Sequence, residues 1–437
     1  MIQQDRFSFF SVKMLVEESL VLQKKGCGRM DRRTKYRHLL WWIICLDLLT
    51  VIWLGYRYLD RKIPDELYVT ESQEQQVKNV LDYPLLSFDD AITVSGDGSY
   101  LLSSRILGVI PFKDVKVIPT DSTTVLVSGS TVGIYMETDG VLVIDTGEII
   151  SEEGRAEEPA EKIIEPGDYI VAFNYEIIET KKDLVEDLEK LKQDTVELQV
   201  IRKGKKIPLS LSPVKDIKGE YKLGIWVRDN TQGIGTLTFV DQNGNYGALG
   251  HGISDVDTGE LLHIDDGDLY QAQIVGIQKG SSGSPGELSG LIHYEAEKII
   301  GSIEKNCEQG IYGKLSELPE ELGLRKMEVA YKQELEIGPA SILCCVDGTV
   351  REFDAEITRI DMNHEDTNKS FVIQVTDSEL LELTGGIVQG MSGSPVIQNG
   401  KFAGAVTHVF VQDSTSGYGI FAETMLENEE NVQERAA

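Results

Sequence analysis

From about Lys215 to Ala422 the sequence is a succession of short apolar runs, each closed by glycine or a polar turn, with almost no segment of helical period. Gly233–Val240 precedes the turn Asp241-Gln242-Asn243-Gly244-Asn245, and Tyr246–Gly250 follows it. Tyr270–Ile277, Lys298–Ile303, Ala340–Val346, Arg351–Ile360, Ser370–Val375, Gly404–Phe410 and Gly417–Ala422 continue the pattern. Strands this short and this evenly spaced cannot bury their apolar faces singly. They predict an all-β barrel or sandwich for this half of the chain. Leu426–Arg435 reads as a polar, exposed helical tail.

A different constraint lies near the N-terminus. Leu39–Tyr56 is apolar, aromatic at its ends and long enough to cross a bilayer, which takes roughly 17–25 residues. Lys24, Lys25, Arg29, Arg32, Arg33, Lys35 and Arg37 precede it; only Arg57, Arg61 and Lys62 follow closely. The heavier basic flank predicts an N-inside anchor with the bulk of the chain outside. Asp47 opposes insertion by about 2.5–3.5 kcal/mol, which the neighbouring leucines and tryptophans offset. No small-residue cleavage site follows, so the segment reads as an uncleaved anchor rather than a removed signal. Met30 opens Met30-Asp31-Arg32-Arg33, a second plausible start.

The formal net charge of −30 argues against a nucleic-acid partner, because no positive field would draw phosphates in. The five cysteines, Cys27, Cys45, Cys307, Cys344 and Cys345, form no C-x-x-C pair. Their spacing suits neither zinc nor a disulfide framework, and no cofactor is implied.

Residues 105–213 alternate strands with one helix. Gly140–Ile144 and Gly167–Asn174 read as strands, Lys181–Lys190 as a helix, and Val196–Arg202 with Lys206–Leu211 as a hairpin around Lys203-Gly204-Lys205. This order resembles a PDZ domain, a fold in which a groove takes an extended peptide as an added strand. The resemblance places the peptide-binding loop at Val132, Gly133, Ile134 and Tyr135.

Chemistry is concentrated in two glycine-framed motifs. Gly390-Met391-Ser392-Gly393-Ser394-Pro395 runs into a strand, the Asn399-Gly400 turn and a second strand. A serine so placed is a candidate nucleophile, and the N–H groups of Gly390 and Ser392 can converge on one oxyanion. The candidate base is His251, in Gly250-His251-Gly252; His408, just beyond the serine, competes with it. Gly280-Ser281-Ser282-Gly283-Ser284-Pro285 repeats the serine string but lacks the strand–turn–strand behind it. Asp255, Asp257 and Asp377 are the candidates for the acid that orients the imidazole.

Anchor, PDZ-like segment, Gly-His-Gly and Gly-Met-Ser-Gly-Ser-Pro, in that order, resemble the SpoIVB peptidase family from Met30 onward. The resemblance implies a chymotrypsin-like double β-barrel with His251 as general base, Asp377 as orienting acid and Ser392 as nucleophile. It implies a forespore protease, held by one membrane helix, with its catalytic part in the intermembrane space. Such an enzyme cleaves itself and a regulatory membrane protein, and so triggers processing of a mother-cell sigma-factor precursor. The expected organisation is a basic tail (1–38), an anchor (39–56), a stalk (57–104), a PDZ-like domain (105–213) and a protease domain (214–437). Two alternatives remain: a tethered PDZ adaptor with an inactive barrel, and an HtrA-type protease, in which PDZ domains follow the catalytic domain.

Overall fold

The structure is a computed structural model that describes residues 32–70, 81, 83, 86–89, 92–93, 98–192, 194–316, 318–364 and 367–436. The start at Met30, the basic residues before position 32 and positions 71–80 of the expected stalk lie outside the described residues.

The chain divides into two units, 1–60 and 61–437. The first holds most of a 31-residue helix, Arg32–Lys62, whose apolar side chains from Leu39 to Leu54 are exposed. It is long and apolar enough to cross a membrane.

The second unit is mainly β. Twelve of its strands form two closed rings of six. The first ring runs Thr131–Thr146, Ile264–Gln278, Ile299–Cys307, Gly310–Leu315, Asn245–Ala248 and Ile225–Val240, and the last strand pairs back onto the first. Val132, Ile134, Met136, Leu237, Tyr246, Leu269 and Ile311 fill it. The second ring comprises Gly338–Cys345, Val350–Ile360, Phe371–Val375, Asp413–Phe421, Lys401–Phe410 and Pro395–Gln398. Ile342, Phe353, Ile373, Val396 and Val406 form its core. Between the rings Phe239 and Tyr312 of the first pack with Leu343, Phe402 and Ile420 of the second, all fully buried. The C-terminal helix Ala422–Ala436 joins this contact through Ala422 and Met425, both 0 % exposed. Its first turn, just before the tail expected at Leu426–Arg435, is therefore a core element.

The boundaries differ from those expected. The first barrel begins at Thr131, well before residue 214, and the PDZ-like unit is inserted within it. Thr131–Thr146 and Ile225–Val240 are each 16 residues long. Their 131–137 and 230–240 portions build the barrel, while 141–146 and 225–228 pair on into the inserted unit. The insert has its own core of Val141, Val143, Ile170, Phe173, Leu184, Leu198 and Leu223. Its helix, Lys181–Glu189, starts at a Thr180–Asp183 capping box, and its hairpin turns at Lys203-Gly204 with both residues at positive φ. The segment expected as a stalk also folds: Glu66–Val69 pairs with Ile110–Pro119 in a separate five-stranded sheet over Ile63, Leu67, Val115 and Val117.

The peptide loop expected at Val132, Gly133, Ile134 and Tyr135 is corrected by this topology. These residues sit inside the first barrel, paired to residues 232–235 on one side and 268–271 on the other. Their backbone groups are spent on the sheet and Ile134 is in the core. A Cβ at Gly133 would come within 2.6 Å of Ile292, so the glycine serves a strand crossing over the barrel, not a ligand.

Candidate active site

Ser392 lies on the loop that enters the strand Pro395–Gln398 of the second barrel. Gly390 (φ +95°) and Gly393 (φ +93°) bend this loop through conformations that side chains resist. The first barrel holds it from behind. Thr236 Oγ1 donates to the Gly390 carbonyl (2.9 Å), Thr236 N to the Ser392 carbonyl (3.1 Å) and Thr238 Oγ1 to the Gly393 carbonyl (2.8 Å). With these carbonyls turned toward the first barrel, the Gly390 and Ser392 N–H groups are given to no protein acceptor among the described residues. The Gly393 site is tight: a Cβ would stand 2.2 Å from the Thr236 oxygen.

His251 follows the strand Asn245–Ala248 of the first barrel, after a turn through Leu249 and Gly250, both at positive φ. Its Nδ1 lies 2.9 Å from the Gly252 carbonyl, an oxygen that can only accept. The Nδ1 proton is thereby fixed and Nε2 is left with its lone pair, the tautomer a general base needs. Burial pushes the His251 pKa below its ordinary value, while the Gly252 carbonyl partly opposes the shift. His251 and Ser392 line one cavity of about 460 Å³, together with His408, whose ring centroid is 4.9 Å from that of His251. The Ser392 hydroxyl donates to the Thr407 carbonyl (2.8 Å) rather than to an imidazole.

Asp377 stands elsewhere, and the orienting role drawn for it is corrected. It is the N-cap of the helix Ser378–Thr384: Oδ1 accepts from Glu379 N (2.9 Å) and Leu380 N (3.0 Å), and Oδ2 from Asp354 N (3.4 Å). An aspartate just before a short helix with free N–H groups is drawn into that cap, and the position facing His251 Nδ1 is held by Gly252. Asp255 and Asp257 do not orient the ring either; both pair with Arg228. Burial alone would raise the Asp255 pKa, but the N–H groups of Thr258 and Asp257 and the Arg228 guanidinium hold it below the usual carboxylate range.

The second serine string forms a different part of the cleft. Ser282 is exposed and donates to the Gln412 carbonyl (2.8 Å), while Gln389 N donates to the Gly286 carbonyl (2.8 Å). This loop of the first barrel is thus stitched to the segment leading into Ser392, and Pro285 borders the cavity.

One residue had no signature in the sequence. Asn306, on the strand Ile299–Cys307, accepts from Ile253 N (2.8 Å) and donates to the carbonyls of Ile253 (2.8 Å) and Leu262 (2.9 Å). It pins the chain two residues beyond His251, and only the folded backbone reveals it. No group of three His, Cys, Asp or Glu side chains among the described residues could hold a metal ion.

A second concavity of about 530 Å³ lies on the inserted unit. The helix Lys181–Glu189 forms one wall, the start of the strand Ile225–Val240 the other, and Tyr221–Gly224 one end. Val185 and Trp226 are exposed along it.

Residues 219–426 match the family model described as SpoIVB peptidase S55. No curated protein sequence matches the chain significantly. Among solved structures, the chain is similar to the PDZ domain of the SdrC-like protein from Listeria monocytogenes, with 21 % identity over 20 % of this chain and 87 % of that one, TM-score 0.17. It is similar to the active form of the Rv3671c protease from M. tuberculosis, with 16 % identity over 46 % of this chain and 74 % of that one, TM-score 0.27. The HtrA-type protease AlgW with a decapeptide is similar at 12 % identity over 47 % of this chain and 55 % of that one, TM-score 0.29.

Proposed function

We propose that this chain, whose residues 219–426 match the SpoIVB peptidase S55 family model, is a membrane-anchored serine endopeptidase that cleaves itself and a regulatory membrane protein during endospore formation. The observation that carries the catalytic reading is the convergence of His251, in its Nε2-basic tautomer, and Ser392 on one cavity.

The chemistry follows from that placement. The Ser392 hydroxyl rotates from the Thr407 carbonyl toward His251 Nε2 and gives up its proton as Oγ bonds to the scissile carbonyl carbon. The Gly390 and Ser392 N–H groups receive the oxyanion, a contribution of about 3–4 kcal/mol per donor in comparable sites. The imidazolium then protonates the departing amine as the C–N bond breaks. Water, activated by the same ring, releases the acyl group and restores the serine. Gly252 takes the place at Nδ1 that a carboxylate fills in a Ser-His-Asp triad.

The helix Arg32–Lys62 serves as a single-pass anchor with its basic flank inside. That topology puts the barrels outside the cytoplasm, in the forespore setting which the family resemblance implies. The groove beside Tyr221–Gly224 takes an extended segment of substrate or partner as an added strand. Clipping the regulatory protein releases processing of the sigma-factor precursor.

Ser392→Ala in the full-length chain tests the reading. The expected result is loss of both self-cleavage and fluorophosphonate labelling, with membrane insertion and folding unchanged. The Ser392 hydroxyl engaged by Thr407 is the one observation favouring the other reading, a tethered adaptor with an idle barrel. Unchanged processing in Ser392→Ala would establish that adaptor.

A further inference from the structure

We infer that the enzyme takes a small or medium aliphatic side chain, not a charged one, at the residue whose carbonyl Ser392 attacks. The inference rests on the peptidase reading and names its substrate class. For the oxyanion to reach the Gly390 and Ser392 N–H groups, the preceding side chain must fall between two segments flanking the nucleophile. One is Ile387–Gly390; the other is Thr407–Val409, held to the loop by Ser392 Oγ on the Thr407 carbonyl and Gly393 N on the Val406 carbonyl.

Ile387, Val388 and Val409 make both walls largely hydrocarbon, with Gln389, Thr407 and His408 as their polar members. Ile387 is 2 % and Val388 1 % exposed, and Val409 and Val411 continue the surface along the same cavity. Asp, Glu, Lys and Arg make up 26 % of the chain, yet none of them lines this cavity. A substrate carboxylate or ammonium entering here would be desolvated with no counter-charge, a large penalty. A valine, leucine or methionine would exchange water for apolar contact.

Ile387 also limits depth. Its amide donates to the Ser414 carbonyl (2.7 Å), which fixes its backbone, and its Cδ1 would stand 2.9 Å from a Cβ added at Gly417. The side chain thus fills the floor against the strand Asp413–Phe421. A longer side chain pushed past Val388 meets Ile387 first, so shortening Ile387 should favour an aromatic ring. Ile387 is the specificity-determining residue.

The test uses the full-length chain in lipid nanodiscs and internally quenched peptides that differ only before the scissile bond, with Val, Leu, Met, Phe, Lys, Arg, Asp or Glu there. Fluorophosphonate labelling of Ser392 is measured in parallel. Aliphatic peptides should exceed every charged one in kcat/KM by about 100-fold or more. Ile387→Ala should raise the Phe-to-Leu ratio by about tenfold. A charged residue cleaved as well as leucine by an enzyme that labels normally overturns the pocket and leaves the peptidase reading intact. An unchanged Phe-to-Leu ratio in labelled Ile387→Ala also overturns it. If Ile387→Ala does not label, the wild-type series decides alone. If the wild-type chain does not label at Ser392, the peptidase reading fails, and the pocket with it.

Discussion

His251 and Asp377 show how a residue's partners decide its role. The Gly252 carbonyl can accept the Nδ1 proton as a carboxylate would, but carries no full charge to stabilise imidazolium. With burial the larger influence and acting against the charged ring, the neutral base persists to lower pH than for an ordinary histidine. Catalysis requires that neutral form, so kcat/KM should fall as pH drops through the depressed pKa. A pH–rate profile should place the midpoint of the acid limb below 6.5. Asp377 gives a sharper contrast. Asparagine caps a helix about as well as aspartate, so Asp377→Asn should keep kcat/KM within about threefold, and Asp377→Ala should lower stability by about 1 kcal/mol in urea unfolding. An acid that orients the base would instead lose about 10⁴-fold on conversion to Asn; a loss of that size in protein shown by circular dichroism to be folded would return Asp377 to the triad.

Among elements, the strand Ile225–Val240 does the most. It edges the groove of the inserted unit at its start, closes the first barrel in its middle, and through Thr236 and Thr238 fixes three carbonyls of the Ser392 loop. Thr238→Val keeps the shape and removes one donor to a buried carbonyl. It should cost about 1–3 kcal/mol and reduce kcat more than KM, because the oxyanion donors lose their backing. Asn306 does the same for the base. Asn306→Ala leaves the Ile253 amide and two carbonyls without that partner, and should slow fluorophosphonate labelling of Ser392 while circular dichroism stays unchanged. The Gly-Ser pattern around Ser392 was legible because only glycine tolerates the φ values there. Asn306, Thr236 and Thr238 were not, because their partners lie 44 to 155 positions away.

At the scale of the whole molecule, the proposed base His251 and nucleophile Ser392 belong to different barrels, so the proposed site exists only while the barrels are docked. The contact is hydrocarbon: Phe239 and Tyr312 against Leu343, Phe402 and Ile420. Phe402→Ala should destabilise the chain by about 3–5 kcal/mol and abolish labelling of Ser392 at temperatures where the far-ultraviolet signal of the strands persists. Coincident loss of activity and strand signal would show instead that the two barrels unfold as one.

The sequence alone determined what local pattern determines. Glycine spacing and short apolar runs specified the short strands of a barrel or sandwich, the long apolar helix specified a candidate anchor, and the glycine frames singled out Ser392 and His251 as the candidate nucleophile and base. Each of these depends on neighbours a few residues away. The tertiary structure alone decided what depends on strand pairing across long stretches of chain. It put Val132–Tyr135 inside a barrel, inserted the PDZ-like unit between two strands of that barrel, assigned Asp377 to a helix cap and the Gly252 carbonyl to His251, and kept Asp, Glu, Lys and Arg out of the cleft lining. A residue's type fixes what it can bond, but the fold selects which partner is within reach.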